Sequence, residues 1–116
     1  MANQNQSILA IYNSLCDQQN ALSAQIQTIA DPKLAATVST EIDEIAHRIV
    51  LVQNLLFKQD SSELAASLSN IKSASQKLTT SIGKIQNTVG FSNSISTYLT
   101  YVDQAVDLAK TLASSV

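Results

Sequence analysis

The sequence predicts an all-α fold, an antiparallel up-down-up-down four-helix bundle with left-handed, coiled-coil-like packing. Apolar residues recur at alternating spacings of three and four over long stretches, which keeps one seam of each helix facing its neighbours. Two glycines and one proline in 116 residues leave few places for turns. No segment alternates with the two-residue period of a strand.

A chain of this length buries about 65% of its unfolded surface, enough for one core without disulfides or metal. The expected organisation is a flexible N-terminal tail over 1–5 and a single domain over 6–116. Its helices fall at about 6–30, 32–59, 62–89 and 93–115. Asp31 before Pro32 offers an N-cap followed by proline at the first helical position, where its missing N–H costs nothing. Asp60-Ser-Ser-Glu63 has the spacing of a capping box. Gly90 suits a left-handed C-cap, with Ser92 or Ser94 starting the last helix.

In the first helix the seam runs Ile8, Tyr12, Leu15, Gln19, Leu22, Ile26 and Ile29. The second places Ala35, Val38, Ile42, Ile45, Ile49, Val52 and Leu56 on its seam. Leu64, Leu68, Ile71, Ser75, Leu78, Ile82, Ile85 and Val89 follow in the third, and Phe91, Ile95, Tyr98, Val102, Val106, Ala109 and Ala113 in the fourth. Gln19 and Ser75 fall at one height on helices that run parallel in this topology, so a buried polar layer between them is expected. Such a layer fixes register at some cost in stability.

The composition narrows the function more than it names one. A net charge of -2, with seven Lys or Arg residues scattered along the chain, argues against nucleic-acid binding, which depends on clustered cations. One cysteine, Cys16, excludes an internal disulfide. It has no histidine nearby in sequence to activate it, and packing is its expected role. The single histidine, His47, follows Asp43 by four residues, the spacing of a helical ion pair rather than of a metal site. Glu41, Asp43 and Glu44 support the N-terminal half of a helix, with Glu44 placed to pair with Arg48. No glycine-rich phosphate loop, nucleophile elbow or zinc spacing occurs, so no cofactor, metal or catalytic residue is expected and the chain reads as a non-enzyme. No stretch approaches the ~20 apolar residues of a membrane span, and the first residues lack the pattern of a secretory signal. A soluble, cytoplasmic protein is the default expectation, with signal-less secretion as its alternative.

One segment carries more apolar surface than a single seam uses. Between Ile49 and Phe57 only Gln53 and Asn54 are polar. A helical projection turns Val50 and Phe57 to one side of the seam, and Leu51 and Leu55 to the other side or away from it. Tyr101, Ala105, Leu108 and Leu112 form a second stripe in the last helix. Contiguous exposed apolar surface marks interaction sites. The expected interface is therefore Val50, Leu51, Leu55, Phe57, Tyr101, Leu108 and Leu112, and the expected function is protein binding, by self-association or to a larger partner. The alternative is a secreted or membrane-active helical protein such as a toxin component, with which extensive apolar surface and few charges are equally compatible. The Ser- and Thr-rich polar face of the third helix has the style of a lipid-packing sensor, but all four helices share it and a plain bundle helix is the expected reading. A pocket for a small apolar ligand, lined by Tyr12, Gln19, Tyr98 and Tyr101, ranks below both.

Overall fold

The computed structural model describes residues 4–114. It contains α1 (Gln6–Ile26), α2 (Pro32–Gln53), α3 (Ser62–Gly83) and α4 (Thr88–Lys110), packed as a bundle 49 × 21 × 16 Å in extent. Among the described residues, the only β pairing is an isolated bridge between Lys58 and Ser114. α1 packs on α2 and α3, and α4 packs on α3 and, most thinly, on α2. The ring order is therefore α1, α2, α4, α3. The connection 54–61 joins helices that are not ring neighbours, which accounts for its being the longest of the three.

Each helix begins where a side chain can accept an N–H that the first turn leaves unbonded. Asp31 Oδ1 accepts from the Lys33 N–H at 3.0 Å, with Pro32 at the first helical position. Asn5 Oδ1 accepts from Ile8 at 3.0 Å, while its backbone N–H donates to the Leu56 carbonyl at 2.6 Å and its Nδ2 to the Lys58 carbonyl at 3.1 Å. Asn5 is 3% exposed, so this end of the expected tail is a buried knot between α1 and the α2–α3 connection. Residues 1–3 of that tail lie outside the described residues. The cap of α3 is Ser61, whose Oγ accepts from Leu64 at 3.0 Å. Asp60, expected as that cap, instead accepts from Ser7 Oγ at 2.9 Å and ties α1 to the same connection.

The helices end earlier than the periodicity alone suggests. After Ile26, Thr28 and Ile29 bond back three residues, and the Thr28 hydroxyl takes the Gln25 carbonyl at 2.7 Å. α3 stops at Gly83, and Asn87 caps α4 by accepting from the Gly90 N–H at 3.2 Å. Gly90 is thus inside the first turn of α4 rather than a left-handed C-cap, and no glycine among the described residues has positive φ. Its lack of a side chain has a different use, because a Cβ there would sit 2.9 Å from Asn87 Nδ2 and push the capping side chain aside. The same break removes Val89 from the α3 seam. It is 70% exposed near the start of α4.

Apart from Val89, the expected α3 seam stays inside, with Leu64, Ile71, Leu78, Ile82 and Ile85 buried and Leu68 packed against them. α4 buries its full heptad from Phe91 to Ala109 and adds Leu99 and Ala105. In α1 the seam is displaced by one residue at two steps. Ile11 and Gln18 are buried, whereas Tyr12 and Gln19 lie at its edge. Both patterns alternate threes and fours, and the aliphatic Ile11 takes the interior position in preference to a tyrosine whose hydroxyl reaches solvent-exposed Gln53. Replacing Asn5 with Ala removes a cap and a bond to Lys58 together. A loss of about 2 kcal/mol in denaturant unfolding is expected, at the upper end for a cap.

Candidate functional site

The residues singled out by sequence fall in three places: the C-terminal half of α2 with the segment after it, α4 with the segment after it, and a polar layer across the core. On α2, Val50 is 56% exposed, and beyond the helix end Phe57 is 47% exposed. Leu51 is half-buried against the core, as are Tyr101, Leu108 and Leu112. Leu55 does not belong to this surface. It is 6% exposed and part of the core. The reason is local: α2 ends at Gln53, and Leu55, Leu56 and Lys58 bond to the carbonyls of Val52, Gln53 and Leu55. Three residues per turn, rather than 3.6, places Leu55 directly over the buried Val52. A projection at 100° per residue cannot see that tightening.

The polar layer is built around Gln18, not Gln19. Gln18 Nε2 donates to Ser75 Oγ at 2.8 Å and to Thr79 Oγ1 at 3.0 Å, joining α1 to α3. One turn earlier, Ser14 Oγ donates to Ser75 Oγ at 3.4 Å and lies 2.8 Å from the Tyr98 hydroxyl of α4. With its own hydrogen directed to Ser75, Ser14 accepts from Tyr98. Tyr98 is fully buried, and burial pushes its phenol up to about 12, so the donor is retained across the ordinary pH range. Gln18 Oε1 is buried without a partner. Exchanging the amide N and O would replace one orphaned acceptor by two orphaned N–H donors, so the orientation described is the less costly one. The layer therefore crosses three helices and leaves one acceptor unpaired.

A further feature was not legible from spacing. Arg48 bonds Glu44 Oε2 at 2.9 Å, as expected for residues four apart, and also grips Asp103 of α4 through Nε at 2.8 Å and Nη2 at 3.0 Å. The Asp103 bond, against the penalty of burial, holds the guanidinium above its ordinary pKa. Glu41 lies beside this clamp in a groove of about 330 Å³ between α2 and α4. Burial, then repulsion from Glu44, raises its carboxyl above the usual value, with Arg48 opposing.

His47 is exposed, and no ion pair joins it to Asp43 among the described residues. Cys16 is a free, half-buried thiol. Among the described residues, no three His, Cys, Asp or Glu side chains cluster as a metal site, and no helix is long and apolar enough to cross a membrane. No protein-family model, curated protein or solved structure matches the chain.

The raised pKa of Glu41 fixes a pH dependence. Folding favours its protonated form, so that contribution is complete below the unfolded carboxylate pKa and is lost as pH rises through the folded value. Glu41→Gln is therefore expected to melt higher than the parent at pH 7 and level with it near pH 3. A melting-temperature difference that does not change with pH would contradict the assignment.

Proposed function

We propose that this protein is a non-enzymatic helical bundle that acts by binding protein, through self-association in the first instance, with a larger protein as the alternative partner. The observation that carries the reading is Val50, an aliphatic residue 56% exposed on the outer face of α2. Phe57, 47% exposed past the helix end, and half-buried Leu51 and Leu56 extend the apolar character of the same segment. The half-buried Tyr101, Leu108 and Leu112 of α4 are its secondary candidates. Apolar groups left in water recover free energy when a partner covers them.

The chain directions within the bundle belong to the same proposal. Asn5 before α1 meets Leu56 after α2, and Ser81 near the end of α3 meets Ser94 near the start of α4 at 2.7 Å. Both contacts support up-down-up-down helices, and the heptad spacing supports left-handed packing. The competing reading, a membrane-active bundle, draws on the neutral Ser- and Thr-rich exterior of α3.

Sedimentation velocity over a range of concentrations tests the proposal. The parent is expected to show reversible self-association, and Val50→Ser combined with Phe57→Ser is expected to weaken it at least about tenfold, the effect of losing roughly 1.5–3 kcal/mol of apolar burial. The helical circular dichroism should be unchanged. A concentration-independent monomer that floats with neutral vesicles would favour the membrane reading instead.

A further inference from the structure

The four helix contacts are unequal in strength and in chemistry. The sequential pairs α1–α2 and α3–α4 pack most extensively, and the two pairs meet along α1–α3 and α2–α4. The α1–α3 contact carries the hydrogen bonds of Gln18 and Ser14 to Ser75. The α2–α4 contact is the thinnest of the four, and two surface grooves run along it. A groove of about 160 Å³ separates Leu34 and Thr37 from Phe91, and the larger one of about 330 Å³ separates Glu41 from Ile95 and Leu99. Three carboxylates, Glu41, Glu44 and Asp103, line the larger groove, and Arg48 is the only cation among its lining residues. The helices are tied across this seam by the two-point Arg48–Asp103 bond, and beyond their ends the Gln59 N–H of the 54–61 connection donates to the Ala113 carbonyl after α4 at 2.6 Å.

The geometry points to a clasp: the pairs α1–α2 and α3–α4 are two leaves hinged along α1–α3, and Arg48 on Asp103 holds them shut, so that its release lifts α2 from α4. Opening uncovers the apolar column of Phe91, Ile95, Leu99 and Val106 on α4 while keeping the contacts within each leaf. The spine persists because several side-chain bonds share it: the buried Gln18 donates to Ser75 at 2.8 Å and to Thr79 at 3.0 Å, and Ser14 to Ser75 at 3.4 Å, although a groove of about 470 Å³ also lies along it. The clasp yields because it is one side chain against carboxylates that repel one another once it is gone. This inference does not depend on the exposed face of α2.

Native-state thiol labelling separates opening at this seam from global unfolding. In a Cys16→Ala background, Val106→Cys reports on the seam, since Val106 is 3% exposed and one heptad from Leu99 on the same face of α4. Ala74→Cys reports on the α3–α4 contact, away from the α2–α4 seam, where Ala74 is 4% exposed at the base of a groove lined by Ser94 and Thr97. Val106→Cys is expected to react with an aromatic disulfide reagent faster than global unfolding permits, and Ala74→Cys at the global rate. Adding Arg48→Met should raise the Val106→Cys rate about tenfold more than the Ala74→Cys rate, the range for hydrogen bonds between charged groups. Asp103→Asn, a milder change, should move the two rates in the same order if Arg48→Met folds poorly. Equal protection of the two thiols in the parent, or equal acceleration of both by either variant, would overturn the clasp.

Discussion

The chain Tyr98–Ser14–Ser75–Gln18–Thr79 is the constraint on which the rest of this bundle depends. Apolar seams with a heptad period are degenerate: shifting one helix by a turn replaces one Ile or Leu with another at little cost. A buried hydroxyl and a buried amide are not so tolerant, because each must meet a partner or bear the full penalty of desolvation. Only when α1, α3 and α4 stand at one relative height does Ser14 come within hydrogen-bonding distance of both Ser75 and Tyr98. The interior of a protein otherwise so rich in neutral polar residues is thereby given a single register.

The remaining polar contacts extend that register to the ends of the molecule. Asn5 and Ser7 bind α1 to the connection 54–61, and Gln59 binds that connection to the segment after α4. With only 16 charged side chains in the sequence, ion pairing plays a local part, concentrated in Arg48. The outcome is an uneven structure. Its α1–α3 side is cross-linked by several side-chain hydrogen bonds, and its α2–α4 side packs most thinly and is held by a guanidinium. The exposed Val50 takes no part in the polar layer or in the Arg48 grip.

Much of this was legible in the sequence because it rests on period and on local caps. The all-helical class, four elements, Asp31 as a cap and most of the α2, α3 and α4 seams follow from spacing alone. The polar layer was also legible, through Ser75, yet its partner was misplaced by one residue. Preferring Ile11 to Tyr12 as the interior residue would have carried the seam to Gln18. Leu55 and Val89 failed for another reason: a helical projection assumes that the helix continues, whereas tight turns after Gln53 and the break at 84–87 rotate everything beyond them. The Arg48–Asp103 grip joins residues from different helices, and spacing within one helix holds no record of it. The expected interface thus contracts on its own geometry, from seven residues to an exposed pair with half-buried neighbours.

A double-mutant cycle across α1 and α4 tests the central claim most directly. Ser14→Ala, Tyr98→Phe and the double variant remove the hydroxyls of the 2.8 Å contact without changing the apolar volume of the core appreciably. If the polar chain sets the register, the two changes are coupled, and the interaction energy from denaturant unfolding is about 1 kcal/mol or more. Effects that add to within about 0.3–0.5 kcal/mol would contradict the account, because the hydroxyls would then be tolerated separately rather than holding the helices at one height.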